Sequence, residues 1–267
     1  MELIKRFTIA FIFIPLLLAV FYLGDFTLLA FMGMVVFIEH FEMREMFLGK
    51  GIQIPRVLLL LGAGVYVAAS LFDLQITLLA LTVTFVVILS LDLFTSDFHG
   101  AIQRISGSLF IVIYSALFSS TIVRIRALPD GQFIILALLS VIWITDSAAY
   151  FIGMRFGKHR GVFKASPRKS LEGFAAGAVA ALLSGGAAWF IFGRSPIVGL
   201  GLAIAVGLFG QLGDLLESVI KRDFGVKDSS DFLPGHGGIL DRFDSLLLAA
   251  PVYYLFHIMV IQAWLQM

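Results

Sequence analysis

The chain has 267 residues, of which 60% are hydrophobic, and its mean hydropathy is +1.00. Charged residues make up 14%, against roughly 25% in a soluble domain, which excludes an ordinary soluble globular protein. The net charge of +1 selects no partner class, and the absence of cysteine excludes disulfide and thiolate chemistry.

A bilayer core takes about 20 apolar residues per helix. Apolar runs lie near Phe7–Leu23, Phe26–Phe41, Val57–Phe72, Ile76–Phe94, Ile105–Val123, Phe133–Ile152, Gly173–Phe192, Ile197–Ile220 and Ser245–Trp264. They predict an all-α, polytopic integral membrane protein with about nine transmembrane helices. Lys5 and Arg6 precede the first run as in a signal peptide. That run lacks a small-residue cleavage site and eight more follow, so it reads as a retained helix. The second run ends in Glu39, Glu42, Arg44 and Glu45, a pattern that predicts an amphipathic tail lying on the surface. Residues 1–132 otherwise read as a transmembrane scaffold, with Asp92, Asp97 and His99 as a solvated helix end. No internal repeat is evident, which weighs against a transporter.

Nine crossings put the chain ends on opposite faces. All but three of the 19 Lys and Arg residues then fall on the N-terminal face; Arg124, Arg126 and Arg194 are the three on the other. The positive-inside rule makes the first face cytoplasmic.

The character changes in residues 133–267, the half expected to carry the active site. Asp146 lies near the cytoplasmic end of the sixth run, and an acid inside a membrane helix is costly enough to be a functional candidate. A solvated acid at the helix end is the plainer reading. The loop after it holds Lys158, His159, Arg160, Lys164, Arg168 and Lys169. Such a patch serves either anionic lipid or ordinary positive-inside charge. Ser166-Pro167 before Arg168-Lys169, with Glu172 opening the next run, is more specific. Gly173 and Gly177, then Gly207, Gly210 and Gly213, read as faces where membrane helices approach closely, which could bring Asp214 near Asp146.

The stretch Asp214–Asp244 concentrates the polar chemistry. Asp214, Glu217, Ser218 and Lys221 share one helix face. Asp241 and Asp244 lie one turn apart at the start of the next helix. Between them come Arg222, Lys227, Asp228, Pro234, His236, Gly237 and Gly238. Carboxylates beside cations at a membrane boundary suggest Mg²⁺ and phosphate chemistry. No P-loop, HExxH or cysteine-based zinc site is present.

This stretch resembles the signature of the phosphatidate cytidylyltransferase (CDP-diacylglycerol synthase) family. The matching positions are Ser218, Ile220, Lys221, Arg222, Lys227, Asp228, Ser230, Leu233, Pro234, His236, Gly237, Gly238, Ile239, Asp241, Arg242 and Asp244. The segments Asp146–Gly153 and Ser166–Gly173 resemble two further family motifs, the second departing from it with Arg168 and Ser170. The resemblance implies that CTP and phosphatidate give CDP-diacylglycerol and pyrophosphate with Mg²⁺, the number of cations staying open. It implies catalytic roles for Asp214, Asp241, Asp244, Lys221, Arg222 and Lys227. The expected cation ligands are Asp214, Asp241 and Asp244, with Asp146 and Glu217 completing the shell. Ser166, Arg168, Lys169, Ser218, Asp228, His236, Gly237, Gly238 and Arg242 are expected to contact substrate. The expected setting is the cell membrane with the site facing the cytoplasm. The expected partners are CTP and bilayer phosphatidate, without nucleic acid, and a homodimer by family analogy. Another CTP-dependent lipid cytidylyl- or phosphotransferase, acting on an archaeal-lipid or polyprenol substrate, shares this chemistry. A transporter remains a weaker alternative, since these acids cluster at one face and not at mid-membrane.

Overall fold

A computed structural model describes residues 2–95, 98–192, 195–232, 237–261 and 263, leaving out the side chains of 2–12 and 191–192. Each expected apolar run is a helix: α1 Glu2–Leu23, α2 Asp25–Gly49, α3 Leu58–Leu71, α4 Leu74–Leu93, α5 Ala101–Arg126, α6 Gly131–Phe156, α7 Leu171–Phe192, α8 Pro196–Asp223 and α9 Leu240–Ile261. The protein is all-α, and among the described residues α2 and α4–α9 are long and apolar enough to cross a membrane. The third expected span is the shortest among the described helices: α3 has 14 residues, about 21 Å at 1.5 Å per residue, and Arg124 at the end of α5 holds its last carbonyls. Its Gly62, Val65, Tyr66, Ala68 and Ala69 are buried, as in a core helix. Helices α5, α8 and α9 each contain a π-helical stretch, at Val112–Leu117, Ala205–Gly210 and His257–Ile261.

The chain forms two compact units. One comprises Met1–Ala127 with Phe224–Arg242, the other Leu128–Asp223 with Phe243–Met267. The polar segment after α8 thus belongs with the N-terminal helices.

In the N-terminal unit, the end of α5 ties down two other helices. Arg124 donates to the carbonyls of Ala69 and Phe72 at the end of α3. Arg126 donates to those of Phe21 (3.3 Å) and Tyr22 (3.2 Å) at the end of α1. Both guanidiniums satisfy carbonyls that a helix C-terminus leaves unpaired, where the dipole favours a cation.

The tail of α2 corrects the sequence reading. It continues unbroken to Gly49, and Glu39, His40 and Glu42 are 0%, 1% and 2% exposed. It is not a surface helix, because each polar group has partners distant in sequence. Ser115, in the π-helical stretch of α5, donates to Glu39 (2.8 Å), and His40 Nδ1 lies 3.0 Å from the same hydroxyl. Glu42 accepts from the segment after α8, as described below.

The C-terminal unit packs through small residues. A Cβ on Gly173 of α7 would lie 2.7 Å from the Ala149 carbonyl and 3.1 Å from Gly153 Cα of α6. Gly185 and Gly199 bring α7 and α8 together in the same way: a Cβ on either would lie 2.7 or 2.6 Å from the carbonyl of the other. The side chain of Gln211 crosses this contact, donating to the carbonyls of Phe174 (3.1 Å) and Gly207 (2.5 Å). Only glycine permits backbones this close.

Candidate active site

The C-terminal unit contains a cavity of about 530 Å³ where α6, α7 and α8 meet. Its polar lining includes Asp146, Arg160, Arg168, Lys169, Gln211 and Asp214. Its apolar lining includes Ala149, Met154, Phe163, Phe174 and Leu215. A pocket of this size, apolar with a few convergent charges, is suited to a small ligand with a hydrophobic part.

The basic segment between α6 and α7 is a folded loop and not a loose tail. Arg160 pairs with Ser170 in a short antiparallel bridge. Its guanidinium donates to the Gly153 carbonyl (2.8 Å) and the Gly157 carbonyl (3.2 Å), fixing it to the end of α6. His159 Nδ1 lies 2.5 Å from Glu172, and its backbone N–H also points at that carboxylate. Ser170 accepts from the Gly173 N–H (3.1 Å), capping the start of α7. Ser166 opens the turn that leads to Lys169, whose N–H donates to the Ser166 carbonyl (3.1 Å). Ser166 is outside the cavity lining, whereas Arg168 and Lys169 line it.

Lys169 forms an ion pair with Asp214. Gly213 explains the closeness of Asp214 and Asp244, because a Cβ there would lie 2.6 Å from the Asp244 carbonyl. Glu217 and Lys221, one turn apart on α8, form a buried pair at 2.7 Å. Ser218 is half-buried beside them, and Arg222 is exposed with its Nε 3.4 Å from the Ala165 carbonyl.

The N-terminal unit holds the other half of the expected set. Glu42 accepts from the Ser230 hydroxyl (2.6 Å), the Ser229 hydroxyl (3.1 Å) and the N–H groups of Ile239 and Leu240 (2.9 Å each). It caps the N-terminus of α9 from another helix. Asp241 Oδ2 accepts from the Ser229 N–H (2.9 Å) and the Gly238 N–H (2.7 Å), and it lies 2.9 Å from the Ser229 hydroxyl, whose single proton it shares with Glu42. Gly237 has φ +81°, and a Cβ there would lie 2.6 Å from Asp241 Oδ2, so both conformation and space call for glycine. Lys227, Asp228 and Arg242 are exposed. His236 lies outside the described residues. Glu42 was missed from the sequence because its partners lie nearly two hundred positions away and nothing local marks it.

Among the described residues no three acidic or histidine side chains form a ready-made metal cage. Mg²⁺ does not require one: it keeps several waters and uses one or two carboxylates together with substrate phosphates. Asp146 and Asp214 line the cavity, and Asp244 lies on α9 where Gly213 brings α8 against it. An oxygen-rich set of this kind fits a hard cation.

A profile of the Cytidylyltransferase family matches residues 4–260. The chain is similar to the phosphatidate cytidylyltransferase of Bacillus subtilis strain 168, with 36% identity over 245 residues, 86% of this chain and 87% of that protein. It is 34% identical over 263 residues to the one of Staphylococcus saprophyticus, covering 94% of this chain and 95% of that protein. With the one of Staphylococcus aureus strain COL it shares 44% identity over 136 residues, and there it spans about half the length of each chain (50% and 51%). The chain belongs to the cytidylyltransferase family.

Proposed function

We propose that the protein transfers the cytidylyl group of CTP to phosphatidate, giving CDP-diacylglycerol and pyrophosphate for phospholipid synthesis. The observation that carries this reading is the cavity of the C-terminal unit. It sets Asp146 and Asp214 beside Arg160, Arg168 and Lys169, against an apolar wall, between helices suited to a membrane.

A phosphatidate oxygen attacks the α-phosphorus of CTP, the bond to the β-phosphate oxygen breaks, and pyrophosphate leaves. The nucleophile is already an anion, so no strong general base is needed. The barrier lies in bringing two polyanions together in line, and catalysis is mostly positioning and electrostatics. Lys169 and Arg168 offset that repulsion at the lipid phosphate. Lys227, Arg222 and Arg242, exposed to water, hold the triphosphate. Lys221 is kept in place by Glu217 and tempers the charge of Asp244. Asp241, with Ser229, Gly237 and Gly238, shapes the segment that carries Lys227 and Asp228, and its charge would also serve as a cation ligand. Asp214, Asp146 and Asp244 would hold Mg²⁺ with the substrate phosphates, and the bound ion supplies charge neutralisation for the leaving pyrophosphate. The site faces the cytoplasm, where CTP is, and the protein works as a homodimer, which chemical cross-linking in membranes tests.

Purified protein with CTP and Mg²⁺ should release pyrophosphate with phosphatidate and not with polyprenyl phosphate or an archaeal-type ether lipid. Release with one of those lipids and none with phosphatidate would overturn the reading.

A further inference from the structure

A second cavity, of about 540 Å³, lies within the N-terminal unit. It forms where the loop between α2 and α3 meets the end of α4 and the first turns of α5. Three guanidiniums line it, from Arg44, Arg56 and Arg104; among the described residues Asp92 is the carboxylate in its lining, and Glu45 outside the lining pairs with Arg44 (2.9 Å). Two of them are held in place. Arg44 Nε donates to the Ile54 carbonyl (2.9 Å), and Arg104 donates to Asp92 (2.6 Å) and the His99 carbonyl (2.7 Å). Arg56 is exposed at the rim.

An independent observation points to an occupant. Ser108 lines the cavity and is fully buried, and its hydroxyl has no hydrogen-bond partner among the described residues. Buried polar groups are nearly always paired, so this one marks where a polar ligand belongs. Arginine suits phosphate, since its planar fork meets two oxygens at once. The remaining wall is apolar, with Ile88 and Leu91 of α4 and Ile105 of α5. Leu89 and Leu93 of α4, a helix with few buried side chains, and Phe94 just after it are exposed. A phosphate with an attached acyl chain fits this division better than a soluble nucleotide.

We propose that this cavity binds the phosphate headgroup of an anionic phospholipid, drawn from the bilayer and separate from the lipid that reacts. None of its lining residues belongs to the cavity of the C-terminal unit.

Native mass spectrometry of the full-length protein in detergent tests this. Dioleoylphosphatidylglycerol is the anionic probe, dioleoylphosphatidylcholine the zwitterionic one and inorganic pyrophosphate the soluble phosphate. The wild type should retain phosphatidylglycerol and not phosphatidylcholine, and pyrophosphate should not displace it. Arg56→Gln and Thr95→Glu, both at the rim, should each weaken retention by about tenfold or more and leave the melting temperature unchanged. Lys169→Ala should retain phosphatidylglycerol normally. Equal retention of both lipids, displacement by pyrophosphate, wild-type retention in both rim variants, or loss in Lys169→Ala would each overturn the proposal.

Discussion

Replacing Glu42 by glutamine puts the organisation of the segment after α8 to a sharp test. The side chain is 2% exposed; one oxygen accepts from the Ser230 hydroxyl and the Ile239 N–H, the other from the Leu240 N–H and from the Ser229 hydroxyl proton it shares with Asp241. Glutamine keeps the shape but turns one oxygen into a donor. Whichever way the amide faces, it meets one serine hydroxyl and one backbone N–H. The hydroxyl can rotate and accept; the N–H cannot. One buried backbone donor at Ile239 or Leu240 is therefore left unpaired, at a cost of about 1–3 kcal/mol. That weakens the hold on the segment roughly 5- to 150-fold. Hydrogen–deuterium exchange of peptides covering residues 224–242, in one detergent, should show faster exchange in the variant, with turnover reduced in parallel. Unchanged exchange and unchanged turnover in Glu42→Gln would refute the claim that this buried carboxylate positions the segment.

Asp241→Asn should keep the segment folded, because an amide oxygen can take the bonds now made to Oδ2. It should still abolish turnover, and normal kcat at saturating Mg²⁺ would remove the Asp241 charge from the reaction. Gly213→Ala would place a methyl group 2.6 Å from the Asp244 carbonyl. It should cost about 1–3 kcal/mol by overpacking, seen as a lower melting temperature together with lost activity. Lys227→Ala should raise KM for CTP more than KM for phosphatidate, and Lys169→Ala should do the reverse, each by roughly 10- to 150-fold in mixed micelles. Because the chain has no cysteine, a single cysteine at Lys158 should react only with a reagent on the cytoplasmic side, and one at Asp130 only from outside. The opposite pattern would reverse the orientation.

The places of the nine helices among the described residues were legible in the sequence, because a bilayer makes long apolar runs unmistakable. The approach of Asp214 to Asp146 was legible too, through glycines spaced to let α6, α7 and α8 meet, whereas the ion pair of Lys169 with Asp214 was not. Local pattern failed for α2. Three charged or polar residues at a helix end look like a surface face, and only contacts with Ser115 and with Ser229–Leu240 reveal them as buried. The cavity around Arg104 was hidden for the same reason: Asp92 and its arginines come from four separate segments, and their spacing in sequence carries no signal. The π-helical stretches also escaped, since a single extra residue per turn leaves hydrophobic periodicity almost unchanged.

The most direct measurement follows two labels of CTP, one in the cytosine ring and one on the γ-phosphate, into the lipid phase with phosphatidate and Mg²⁺. Cytidylyl transfer predicts that the ring label enters the lipid while the γ label leaves as pyrophosphate, and that Asp214→Asn stops both. Transfer of the γ label to lipid, or ring labelling unaffected by Asp214→Asn, would contradict the account.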